Sequence, residues 1–219
     1  IAITFAVSWA IVIGGWAAGL HENPQLAVLV IALSMFGPAV AGITCAVLFE
    51  KGRRVEALGL RAKINWWWLL AWLIPMALAA LAVGFTLIFS ANSFVPLGEA
   101  VIAAAPAAQA ASLQELGPGA LAAIVLVQAL LIGPLINTLI LTFSEELGWR
   151  GYLWDLWAKF GFWRASLATG AIWGVWHAPA IYLFGHNYPQ DRLIGIPLFV
   201  LFCVLLSPIV SHLRARGGS

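Results

Sequence analysis

The sequence predicts an all-α, polytopic transmembrane helix bundle of about six helices, each spanning the hydrocarbon core with about 20 apolar residues. Three observations predict it. Of the 219 residues, 63% are hydrophobic and 9% charged, with a mean hydropathy of +0.96. A soluble domain carries about a quarter of its residues as charges, because its surface must meet water; these charges are too few for that, and lipid is the expected solvent. Apolar stretches of spanning length recur along the chain and leave little sequence for a soluble domain. The basic residues also sort to alternate loops, the pattern that orients a multi-spanning protein.

The first helix is expected over residues 1–20. It has no basic start and no small-residue cleavage site, so it reads as a retained helix and not a signal peptide. A turn at His21-Glu22-Asn23-Pro24 leads to a second helix over 25–49. The polar loop from Glu50 through Lys63 holds Lys51, Arg53, Arg54, Arg61 and Lys63. A third helix, 66–90, opens with Trp66-Trp67-Trp68, whose amphipathic rings suit the headgroup level. Residues 91–118, rich in Ala, Pro, Gly and Ser, read as a loop. The fourth helix begins near Leu121 and extends past Trp154, with a turn near Phe160-Gly161; the fifth covers 164–184 and the sixth 193–213. Arg150, Lys159 and Arg164 surround the turn between helices four and five, and Arg214 and Arg216 follow helix six. Alternation places these with the 50–64 loop on one side, expected to be the cytoplasm, and leaves Arg192 opposite. The expected division is 1–117 for N-terminal helices and loops and 118–219 for the core that carries the chemistry. The ends, Ile1 and Gly217-Gly218-Ser219, read as cut ends of a longer chain.

The net charge of +2, with no basic cluster, points away from nucleic acid and leaves membrane lipid as the expected partner. Cys45 and Cys203 lie in apolar stretches and read as small structural hydrophobes, with no disulfide framework.

Charges inside apolar segments are the informative exceptions, because an unpaired carboxylate at the bilayer centre costs roughly 2.5–3.5 kcal/mol on insertion scales. Two sit together in Ser144-Glu145-Glu146-Leu147-Gly148-Trp149-Arg150-Gly151-Tyr152. In a helix Glu146 and Arg150 are one turn apart and can pair, which leaves Glu145 as a free base on a neighbouring face. The second segment is Trp173-Gly174-Val175-Trp176-His177-Ala178-Pro179. Glu145 lies sixteen residues before Gly161 and His177 sixteen after it, so a hairpin turning there puts both about 24 Å along their helices. A Glu level with a His can take and return a proton, or give two ligands to a divalent metal. The bland readings are a Glu pair meeting headgroups and a lone His bonding a backbone carbonyl. His186-Asn187 and Asp191-Arg192 fall in the outer loop and read as solvated.

At these residues the chain resembles a known family. Glu145-Glu146-x-x-x-Arg150, followed by Gly151-Tyr152-Leu153, is similar to the EExxxR signature of the CPBP intramembrane proteases, the CAAX-protease and bacteriocin-processing (Abi-like) family. Trp173-Gly174-Val175-Trp176-His177 is similar to their FxxxH signature, with Trp in place of Phe. Phe36-Gly37-Pro38-Ala39 and Leu58-Gly59-Leu60-Arg61 resemble upstream segments of the family. The resemblance is specific over residues 137–179. It implies an intramembrane endopeptidase in which Glu145 activates the attacking water and His177 assists it or shares a metal. Glu146, Arg150 and Trp173 would support them. It also implies a peptide or protein substrate, prenylated in the CAAX branch, and leaves zinc and a metal-free Glu-activated water both open. The family's third signature, a His followed four residues later by Asn or a small residue, has no match: His212 is followed by Arg216. The final family helix is therefore expected to be missing. The competing readings are a transporter with a Glu/His proton relay and a catalytically silent immunity protein on the same scaffold.

Overall fold

The computed structural model describes residues 1–61, 63–89 and 94–218. Ala62, the expected end of the third helix at Ser90, the start of the following loop at 91–93, and Ser219 lie outside the described residues. No strand occurs among the described residues. Helices α1 (Ala2–Ala17), α2 (Pro24–Ser34) and α3 (Gly37–Phe49) lead through a single helical turn, α4 (Arg54–Ala57), to α5 (Trp66–Phe89). Next come α6 (Leu97–Ala104), α7 (Ala107–Leu116), α8 (Pro118–Val127) and α9 (Gly133–Leu141). Stretches of π-helix follow α8 at Gln128–Ile132 and α9 at Thr142–Tyr152, the second running into α10 (Leu153–Trp157). After Gly161 the chain forms α11 (Phe162–Trp176), α12 (Ala178–Phe184) and α13 (Arg192–Gly217).

Among the described residues four stretches are long and apolar enough to cross a membrane: Pro24–Phe49, Trp66–Phe89, Pro118–Phe160 and Arg192–Gly217. The protein is an all-α integral membrane protein. The sixteen-residue α1 falls just short of that length, and the expected fifth helix is broken at His177. The chain forms two compact units, Ile1–Trp68 with Ile140–Ser219, and Leu69–Leu139.

In the second unit, the expected loop proves largely helical. Alanine has the highest helix propensity, and Pro96, Pro106 and Gly117 punctuate α6 and α7 without interrupting them. Trp72 Nε1–H donates to the Leu130 carbonyl across 2.8 Å, in the π-helical stretch.

In the first unit, two helices expected to be continuous are broken, each by a proline. Proline removes a backbone N–H and collides with the carbonyl four residues earlier. Pro38 faces the Ser34 carbonyl in this way, and the chain breaks between α2 and α3. The orphaned Ser34 oxygen accepts the Ser8 hydroxyl across 2.7 Å. Pro179 faces the Val175 carbonyl where α11 ends, and Trp9 Nε1–H donates to the neighbouring Trp176 carbonyl at 3.0 Å. Consecutive residues of α1 thus satisfy both breaks.

The π-helix at Thr142–Tyr152 packs chiefly on α3, and α11 packs on α13. Gly148 makes the first contact possible: a Cβ there would lie 2.5 Å from the Pro38 carbonyl oxygen. Ser166, Gly170 and Gly174, spaced by four, are the small residues that let α11 approach α13. One end of the unit is tied by polar contacts. Arg53 bridges Glu50 and Asp155, each at 3.2 Å, and Asn65 Nδ2–H donates to the Gly217 carbonyl.

Gly148→Val should push the π-helix off α3, at a cost of about 1–3 kcal/mol for overpacking. A lower thermal midpoint of the detergent-solubilised protein is the expected outcome; an unchanged midpoint would show that this contact does not hold the unit together.

Candidate active site

The Glu145–Glu146 pair and Arg150 lie on the π-helix. Long π-helical runs are rare and recur at functional sites. One local cause is visible: the Ser144 hydroxyl donates to the Ile140 carbonyl at 2.7 Å. It thereby competes for an acceptor that an α-helix gives to a backbone N–H. Arg214 of α13 donates from Nε to the Arg150 carbonyl at 3.1 Å, serving the same stretch from outside.

Glu146 and Arg150 pair as their spacing predicts, Nη1 to Oε1 at 2.9 Å. Arg150 is 2% exposed, and its guanidinium also lies over the Trp173 ring, 4.3 Å from the centroid. Glu145, 5% exposed, is not the partner-free base expected from the helix faces. Its Oε2 accepts the Trp173 indole N–H at 2.8 Å. A buried carboxylate needs such a donor, and the indole supplies it by spanning the space between the π-helix and α11.

His177 occupies the break between α11 and α12. Its Nδ1 lies 2.8 Å from the Trp173 carbonyl. A carbonyl can only accept, so Nδ1 carries the proton and Nε2 keeps its lone pair. The bland reading of a histidine on a backbone carbonyl thus holds for one ring nitrogen and leaves the other for chemistry. Trp173 touches both candidate residues, Glu145 through its side chain and His177 through its backbone.

Glu145 and His177 line one cavity of about 190 Å³, with Ser8, Trp9, Ser34 and Trp176 among its other walls. A seventh polar residue is there that the sequence placed in solvent. His186 lines the same cavity, and its ring lies parallel to that of His177 at 6.5 Å. The reason is the turn after α12. Gly185, at φ 71°, closes the helix after seven residues and folds the chain back. Burial pushes the His186 imidazole below the usual histidine range, so the ring is neutral near pH 7 and carries one N–H. The early Gly after Pro179 was the available signal. His212 lies elsewhere, edge-on to Trp67 and Phe162.

A catalytic zinc takes three protein ligands and an open position. Among the described residues no three His, Cys, Asp or Glu side chains are grouped to hold a metal ion. Glu145 and His177 line one cavity and offer two ligands, and no step is routed through a metal.

Residues 119–219 match the family model described as type II CAAX prenyl endopeptidase Rce1-like. The chain is also similar to CAAX prenyl protease 2 of Methanococcus maripaludis, with 45% identity over 40 residues. That stretch covers 18% of this chain and 15% of the relative. No solved structure matches the chain.

Glu146→Ala should leave the buried Arg150 charge without its counter-ion, a change that costs about 3–5 kcal/mol in buried pairs. The expected outcome is a sharp fall in folded yield after membrane extraction. Normal yield with lost activity would instead give Glu146 a direct part in the chemistry.

Proposed function

We propose, from the match of residues 119–219 to the Rce1-like type II CAAX prenyl endopeptidase family model, that the protein hydrolyses peptide bonds within the membrane using a water activated by Glu145. The observation that carries the reading is the double contact of Trp173, which fixes Glu145 and His177 on one cavity. The Glu145 carboxylate takes a proton from a cavity water, and His177 Nε2 accepts that water's second O–H and orients it. The resulting hydroxide attacks the peptide carbonyl carbon. The tetrahedral intermediate collapses with cleavage of the C–N bond, and Glu145 returns its proton to the departing nitrogen. General-base help of this kind contributes about 10²–10⁴-fold.

The finer reading is a prenylated C-terminal substrate. A second cavity of about 330 Å³ between α1, α3 and the π-helix favours it, with walls that include Ala41, Cys45, Phe49 and Leu156. An apolar recess beside the catalytic helix suits a hydrocarbon chain. The end tied by Arg53, Asp155 and Asn65 is assigned to the cytoplasm, since Lys51, Arg53, Arg54, Lys63 and Arg216 gather in its loops and helix ends.

Glu145→Gln and His177→Ala, made in the full-length protein, are each expected to abolish cleavage of a prenylated reporter peptide while membrane insertion stays normal. Wild-type turnover in either variant would remove that residue from the mechanism. Inhibition by 1,10-phenanthroline, reversed by added zinc, would add a metal to it.

A further inference from the structure

A π-helical run changes the backbone accounting where it ends. The Leu153 N–H still closes on the Gly148 carbonyl, five residues back, whereas the Ala158 N–H closes on the Trp154 carbonyl, four back. Between those two bonds lie the carbonyls of Trp149, Arg150, Gly151, Tyr152 and Leu153, and only the N–H groups of Trp154, Asp155, Leu156 and Trp157. Five acceptors share four donors, so one carbonyl must find its hydrogen outside the helix. Trp149, Arg150, Gly151 and Tyr152 are all buried, and a carbonyl left unserved in hydrocarbon is costly. Arg214 serves it. Its Nε–H donates from α13 to the Arg150 carbonyl at 3.1 Å.

The arginine is seated for this bond. Its guanidinium lies on Gly59, at φ 70°, where a Cβ would fall 3.0 Å from Nη2. That glycine closes the turn after α4, with its N–H on the Glu56 carbonyl and the Leu60 N–H on the Val55 carbonyl, each at 2.9 Å, a left-handed helix cap. The same turn touches the π-helix, since a Cβ on Gly151 would meet the Leu58 carbonyl. By sequence Arg214 counts with Arg216 as a basic residue following the sixth helix; in the structure its Nε turns inward to the helix that bears Glu145. A helix wound by four throughout has no surplus carbonyl at this point, so the bond favours the wider winding over the narrower. That winding sets the directions of Glu145, Glu146 and Arg150, and with them the bond between Glu145 and Trp173.

We propose that Arg214 is a positioning residue of the site: its bond to the Arg150 carbonyl holds the π-helical winding that turns Glu145 toward Trp173 and the cavity. It acts through the backbone of the helix that bears the base, and not on substrate. Its effect on turnover rests on the peptidase reading above; its effect on the helix does not.

The test uses the full-length protein in detergent, as Arg214→Met, which keeps an apolar stem and removes the donors, and as Arg214→Lys, which keeps an N–H donor. Amide hydrogen exchange is followed by mass spectrometry beside kcat and KM for a fluorogenic prenylated peptide, with Glu145→Gln alongside. Arg214→Met is expected to speed exchange over residues 142–157 by about tenfold or more, with α11 and α13 within about threefold of wild type. Its kcat should fall about 10²-fold, the scale of a small misplacement at a reacting centre, with KM within about threefold, and Arg214→Lys should recover about tenfold or more of the loss. Unchanged exchange over 142–157, or an equal rise in α11 and α13, would overturn the proposal, as would equal loss of kcat in the Lys and Met variants. Should Arg214→Met not accumulate, Gly59→Ala, which keeps the arginine and intrudes on its seat, carries the same exchange test with the same two outcomes. Wild-type kcat in Arg214→Met with an inactive Glu145→Gln would overturn the positioning role and leave the peptidase reading standing. Faster exchange over 142–157 with wild-type turnover in Glu145→Gln would support the hold of Arg214 on the helix and remove the peptidase reading.

Discussion

In hydrocarbon every backbone N–H and C=O must find a partner within the protein, and this constraint organises the first unit. Two of its helices are interrupted near a proline, at Pro38 and at Pro179. A carbonyl at each break is met from one helix, by adjacent side chains: Ser8 reaches Ser34 and Trp9 reaches Trp176. Helix α1 is therefore more than a lipid-facing span. It makes two broken helices tolerable at membrane depth, and the cavity that holds Glu145 and His177 lies between those same breaks. Irregular backbone in a membrane is confined to places where it is buried or lines a cavity, and here it does the second.

The charges follow the same logic. Arg150 is almost fully buried and keeps its charge next to Glu146 on one side and the Trp173 face on the other. A buried ion pair is weak evidence for stability, because desolvation offsets much of the attraction; its value here is positional. Arg150 and Glu145 both engage Trp173, one through the ring face and the other through the ring N–H. The indole is thereby held from two sides, and its own carbonyl then sets the tautomer of His177. The upstream segments complete the mount. Pro38 meets Gly148, Leu58 meets Gly151 where a Cβ would fall 2.4 Å from the Leu58 oxygen, and Arg214 serves the Arg150 carbonyl.

Much of this was legible in the sequence, and the rest was hidden for identifiable reasons. The Glu146–Arg150 pair follows from a four-residue spacing that survives in a π-helix. The shared cavity of Glu145 and His177 agrees with their equal distance from the Gly161 turn, although the helices do not pack side by side as a simple hairpin; the long Trp173 side chain makes the connection. The breaks at Pro38 and Pro179 were visible as prolines but were smoothed over by reading apolar stretches as single spans. Helices α6 and α7 lie in a stretch whose Pro and Gly read as loop, while its alanines carry the helix propensity. His186 was lost because a loop residue is solvated by default. Only the αL closure at Gly185 and the Arg192 contacts, both tertiary facts, turn it inward.

Polar chemistry inside a lipid bundle needs space for water. A straight apolar helix offers the core nothing but side chains, and tight interhelical packing leaves no room for solvent. Residues at both breaks line a cavity of about 190 Å³, far above the roughly 10–15 Å³ of accessible volume that one water requires. Its polar rim is asymmetric. The Ser8 and Ser34 hydroxyls and the Trp9 indole are spent on backbone carbonyls, while Glu145 and His177 Nε2 face the same cavity as acceptors. The same break that ends α11 at His177 leads into the short α12, and His186 just after it lines the same cavity.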